Sequence, residues 1–175
     1  MKNKDVIFAT ILLFLIPCVF AATTTATLSV TASVAAVCTV SATSAVAFGT
    51  YNTQSVTDQA GTGSISVRCT KGSSGVTIGL NTGVNASASQ ARMTDGSTNF
   101  INYALYKPTT TTPGAACPTS AATGTAWTNT GAGLFTLTAA PSNVARTYNV
   151  CGFIPNSQDV PAGSYTDTVT ATVTF

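Results

Sequence analysis

Four cysteines are the residues of this chain best placed to do chemistry once Cys18 is set aside: Cys38, Cys69, Cys117 and Cys151. No two of them have the close spacing of a metal knuckle, and the sequence contains no histidine, so a zinc site is a poor fit. An even number of cysteines in an exported chain points instead to disulfides, with three possible connectivities. Sequential pairing, Cys38 with Cys69 and Cys117 with Cys151, closes two moderate loops and is the favoured one. Acid–base catalysis has little to work with. All five acidic residues are aspartates, and the many serines lack a base partner or a strand-turn-helix nucleophile motif. The expectation is a protein without catalytic residues, metal or cofactor.

Charge is scarce, at 7% of the residues. Beyond the N-terminal segment, Asp58, Asp95, Asp159 and Asp167 stand against Arg68, Lys71, Arg92, Lys107 and Arg146. These build no basic patch, so nucleic acid is not an expected partner, nor is a small-molecule substrate. A chain rich in Thr, Ser, Ala and Gly must rest on backbone pairing, a modest core and covalent cross-links.

The elements that would hold the cysteines are strands. Residues 1–21 read as an export signal: Lys2 and Lys4 lead an apolar run from Val6 to Phe20, and Val19-Phe20-Ala21 offers a cleavage site. Cys18 follows Pro17, where a lipidation signal needs a small residue. From there, period-two alternation dominates. Ala26, Leu28, Val30, Ala32, Val34 and Ala36 alternate with hydroxyl residues, and Tyr165, Val169, Ala171, Val173 and Phe175 do the same at the C-terminus, so both ends are expected to be strands. Further strands are expected over 45–51, 64–70, 76–80, 100–106, 134–138 and 147–154, separated by turn signals such as Asp95-Gly96 and Pro113-Gly114. Residues 109–124 are rich in Thr, Pro and Ala and read as a long surface loop tied through Cys117. Many short strands at this spacing predict an all-β, immunoglobulin-like sandwich. Core packing is the expected role of Trp127, Tyr103 and Tyr106. Asn85-Ala86-Ser87 matches a glycosylation acceptor, a triplet common by chance.

The N-terminal segment departs from this pattern. Between Ala22 and Phe48 there is no Gly, Pro, Asn or Asp, so no residue supplies the backbone geometry of a tight hairpin. A long half-apolar strand that cannot fold back must bury its apolar face elsewhere, and the economical shelter is another molecule.

These residues resemble the spore coat protein U family, the Csu-type subunits of archaic chaperone-usher pili. The resemblance runs through Cys38-Thr39-Val40, Phe48-Gly49-Thr50-Tyr51, Gly63 with Ser66-Val67-Arg68-Cys69, and Asn102-Tyr103-Ala104-Leu105-Tyr106. It closes with Gly152-Phe153-Ile154-Pro155 and with Gly163-Ser164-Tyr165-Thr166-Asp167-Thr168 running to Phe175. It implies a sandwich that lacks its final strand and so leaves a hydrophobic groove, which a periplasmic chaperone and then the N-terminal strand of the next subunit fill by β-augmentation. Three segments follow: a signal peptide at 1–21, a donor strand at 22–36 and a pilin-like domain at 37–175. Donor side chains would be Leu28, Val30, Ala32 and Val34. The acceptor groove would include Val169, Ala171, Val173 and Phe175, and the Cys38–Cys69 bridge would belong to the family core. The implied protein is exported through the periplasm, assembled with an outer-membrane usher and neighbouring subunits, and displayed as a surface fimbria in adhesion or biofilm formation. A coat structural protein of the same fold and a carbohydrate-binding adhesin are the alternatives.

Overall fold

A computed structural model describes residues 20–175. Most of the export-signal reading therefore lies outside the described residues. The chain divides into two units, Met1–Ser33 and Val34–Phe175. In the first, residues 20–33 carry no helix or strand and are exposed throughout. The alternating stretch expected to be a strand therefore does not form one within the single chain. A strand exists through its ladder, and alternation alone supplies no ladder partner.

The second unit holds eight strands: β1 (Cys38–Ala47), β2 (Gln59–Cys69), β3 (Thr77–Leu80), β4 (Ala91–Thr94), β5 (Phe100–Tyr106), β6 (Phe135–Thr136), β7 (Arg146–Ile154) and β8 (Ala171–Thr174). Every pairing is antiparallel. One sheet runs β1-β2-β7-β5-β4 and the other β6-β3-β8. The chain passes between the sheets five times, after β2, β3, β5, β6 and β7, which makes an immunoglobulin-like sandwich. β1 begins earlier than its sequence signal because Cys38 and Cys69 face each other in register and are joined covalently, Cα to Cα 4.1 Å. β4 carries too short an alternation to be read from sequence.

Burial follows the pleat. In β2, Gly61, Gly63, Ile65, Val67 and Cys69 are buried while Thr62 and Arg68 are exposed. In β7, Tyr148 and Val150 face the core, and residues 151–154 are buried on both sides. The outer side is covered because Cys117 is bridged to Cys151, Cα to Cα 5.5 Å, and Tyr106 stacks edge-on against Phe153 with ring centroids 5.5 Å apart. The 109–124 loop is therefore fastened to the central strand. Between the sheets lie Val67, Val76, Ile78, Trp127, Phe135 and Tyr148. The Trp127 indole donates to the Ile78 carbonyl at 2.9 Å, and its ring lies 4.8 Å from that of Phe135, so the expected core role of the tryptophan is fulfilled with its polar handle satisfied.

Glycines set the course of β1. Its register shifts between Ala42 and Ser44 and again between Ser44 and Ala47, and this irregular stretch crosses Gly63 and the Gly61–Gly152 pair. A methyl carbon on Gly63 would stand 2.7 Å from the Val46 nitrogen, and one on Gly152 would stand 2.6 Å from Phe48 Cζ and 2.8 Å from Val46 Cγ1. The missing side chains form the trough in which Val46 and Phe48 lie. A Gly152→Val replacement should push Phe48 out of this trough and destabilise the domain by about 1–3 kcal/mol, read as a lower urea midpoint with an unchanged slope. Replacing Cys117 and Cys151 together by serine should lower the midpoint as well, for a stability loss of roughly 3–4 kcal/mol in the loop-entropy account.

Candidate functional site

β1 pairs only with β2, and β8 pairs only with β3. Each therefore leaves one edge unpaired among the described residues, and the two edges face a common groove of about 540 Å³. One wall is β1, with Val40, Ala42 and Val46. The other is the segment 165–171 that leads into β8. Ile65, Leu80, Leu105 and Val150 form the floor, and Phe48, Met93 and Tyr165 stand at one end.

The 165–171 wall alternates strictly. Tyr165, Asp167, Val169 and Ala171 are half-buried, while Thr166, Thr168 and Thr170 are exposed. The threonines give their backbone groups to the neighbouring segment: Val84 N–H donates to Thr168 O at 3.1 Å, Asn81 N–H to Thr170 O at 3.1 Å, and Thr166 exchanges two bonds with Thr94 at 2.9 Å each. Successive backbone groups of an extended strand point to opposite edges. Those of Asp167 and Val169 therefore face the groove. The site offers an unpaired ladder above an apolar floor, which is what an added β-strand needs.

One polar group interrupts this surface. The Asp167 carboxylate accepts Tyr103 O–H at 2.7 Å through Oδ2, and Asn85 N–H at 3.1 Å and Asn85 Nδ2 at 2.9 Å through Oδ1. Gly83, at φ +87°, gives it room, since a methyl carbon there would collide with the carboxylate. Burial, reinforced by hydrogen bonding to Asp167 and by its charge, pushes the Tyr103 phenol well above its ordinary value of 10.0. Tyr103 is buried, as its expected core role requires, and its hydroxyl ties β5 to the 165–171 wall.

Of the groove residues expected from sequence, Val169 and Ala171 line it. Val173 lies outside the lining, paired with Ile78 in the β3–β8 ladder and packed on the core, and Phe175 is exposed beyond the end of β8. The expected donor residues Leu28, Val30 and Val34 are 88%, 87% and 84% exposed, and Ala32 is exposed too. The opposing wall of β1 and the Asp167–Tyr103 tie were missed. An aspartate on the apolar parity of an alternating segment was the signal that pointed to the tie. Among the described residues no group of three or more His, Cys, Asp or Glu is placed to hold a metal, and no helix is long and apolar enough to cross a membrane.

Folding stability should fall as pH rises above about 10. The folded chain keeps the Tyr103 proton that the unfolded chain releases there, so this contribution is complete below the unfolded value and is lost at higher pH. Tyr103→Phe should flatten that alkaline slope, measured by denaturant midpoints across pH 8–11.5, and should cost about 1.5–3 kcal/mol at neutral pH for a bond to a charged acceptor.

Comparison with known proteins gives a family and two relatives. The sequence model described as Spore Coat Protein U domain matches residues 24–172. Protein U of Myxococcus xanthus is 37% identical over 171 residues, a match covering 89% of this chain and 87% of that protein. Among solved structures, the chaperone–tip adhesion subunit pre-assembly complex CsuC–CsuE, from archaic chaperone-usher Csu pili of Acinetobacter baumannii, is 21% identical with a TM-score of 0.47. That match covers 81% of this chain and 40% of the solved one.

Proposed function

The chain belongs to the Spore Coat Protein U domain family, and we propose that it is a structural subunit of a surface fibre that polymerises by donor-strand complementation. The groove between the unpaired edges of β1 and the 165–171 segment is the observation that carries this reading. The occupant is the N-terminal arm of a second copy. Leu28, Val30, Ala32 and Val34 recur at the period of two that a groove lined by Tyr165, Asp167, Val169 and Ala171 can receive. The arm leads directly into β1 through residues without turn chemistry, so its cheapest route to a groove is intermolecular. Inserted, it pairs its backbone with both free edges and brings its apolar face under cover.

On this reading the chain is exported, a periplasmic chaperone covers the groove until an outer-membrane usher exchanges it for the arm of the next subunit, and the product is a cell-surface fimbria serving adhesion or biofilm formation. The chain acts as a building block and not as an enzyme, consistent with a sequence that has neither histidine nor glutamate. A coat component of resting cells is the second reading, favoured by the family's description, and it uses the same strand exchange. Immunolabelling of growing and resting cells separates the two.

Deletion of residues 22–34 should abolish the ladder of denaturant-resistant oligomers formed by the purified chain while leaving the 37–175 fold, followed by circular dichroism, in place. Unchanged oligomerisation by the armless chain would overturn the reading. Val30→Lys should weaken assembly by about tenfold or more, because it carries a charge into an apolar site.

A further inference from the structure

The residues that lead from the arm into β1 run beside the end of β2, and there a side chain completes the ladder. Cys38 and Cys69 are the last pair of the β1–β2 register, so the next partners in line are Val37 and Thr70. An antiparallel pair at this position exchanges two backbone bonds. Only one forms, Thr70 N–H donating to Val37 O at 2.9 Å, because Thr70 O accepts Ser73 N–H at 3.1 Å in the turn that follows β2. The Thr70 hydroxyl takes the place of the diverted carbonyl, and Val37 N–H donates to its Oγ1 at 3.1 Å. A threonine hydroxyl also has one proton to give. It goes to Ala35 O at 3.2 Å, since Val37 O, at 3.5 Å, already accepts the Thr70 N–H.

This clasp is well founded on the body of the subunit. Two bonds pin the Thr70–Ser73 turn to Ala140, Gly72 N–H to Ala140 O at 2.8 Å and Ala140 N–H to Ser73 O at 2.9 Å, and the Cys38–Cys69 bridge lies one residue pair away. Residues 34–37, by contrast, are exposed throughout, so burial does little to hold them and the bonds to Thr70 must. Resting on the donor-strand reading above, we infer that Thr70 stiffens the joint between successive subunits of the fibre. With the clasp closed, residues 35–37 prolong β1 as part of the body, and Val34, the last of the expected donor side chains, is the first residue outside it. A strand held in the neighbouring groove then continues into the body with no slack. With the clasp open, residues 35–37 become a short linker between Cys38 and the neighbouring groove, and the joint bends.

Fibres assembled from the full-length chain test this, their persistence length measured in negative-stain electron micrographs. Thr70→Val keeps the shape of the side chain and removes the hydroxyl, so it should shorten the persistence length by about twofold or more while the yield of oligomers is unchanged. Thr70→Ser keeps the hydroxyl and should match the unmodified chain. Equal persistence lengths in all three, or a serine variant as flexible as the valine one, would overturn the assignment. Should Thr70→Val fail to fold or assemble, residue-resolved hydrogen exchange on the unmodified chain decides. Val37 N–H, bonded to the hydroxyl, should exchange about tenfold more slowly than Ala36 N–H, which points to the other edge of the extended segment. Equal rates refute the clasp. A failure of the donor-strand reading is read separately, as fibres formed by the chain lacking residues 22–34.

Discussion

Two strand edges with no ladder partner among the described residues face each other across an apolar floor, and most of the architecture serves to hold them apart at that spacing. The β1 edge is anchored at its start by the Cys38–Cys69 bridge and kept low over the sheet by the side-chain-free surface of Gly61, Gly63 and Gly152. The opposing edge is held from behind, where the threonines of the 165–171 segment bond to residues 81–94, and from within, where Asp167 ties it to β5 and to Asn85. A groove braced on both walls loses little conformational freedom when a strand enters. Pre-organisation of this kind raises affinity without adding contacts.

The composition fits that arrangement. With charge at 7% of residues, long-range electrostatics offers little steering or partner discrimination. Recognition falls on main-chain hydrogen bonds, each worth about 0.5–1.5 kcal/mol net, and on a few aliphatic anchors worth roughly 1.5–3 kcal/mol when fully buried. Backbone bonds are blind to sequence, so discrimination among registers must come from side-chain pockets.

Much of the fold could be read from the chain alone because its strands are amphipathic in the plain sense. Residues 100–106 and 147–154 alternate or run apolar between clear turn signals, and the corresponding strands are found at Phe100–Tyr106 and Arg146–Ile154. The cysteine count implied disulfides, and a long loop tied through Cys117 is present. β1 was displaced in the reading because its register shifts twice, and a bulge reverses parity partway through a strand. The 165–171 wall was recognised by its alternation, but the alternation extends to Phe175, whereas the groove ends at Ala171. Beyond that point β8 joins the ladder with β3 and Val173 turns to the core.

By itself, then, the sequence determined the strand periodicity, the even cysteine set, the poverty of catalytic side chains and an N-terminal arm without turn residues, because each depends on residue type and spacing along the chain. Only the tertiary structure decided which edges remain unpaired, where the groove begins and ends, and that Asp167, Tyr103 and Asn85 meet within it. Those are contacts between segments up to 82 residues apart, and period-two patterning specifies which face of a strand is apolar but not which neighbour it will meet.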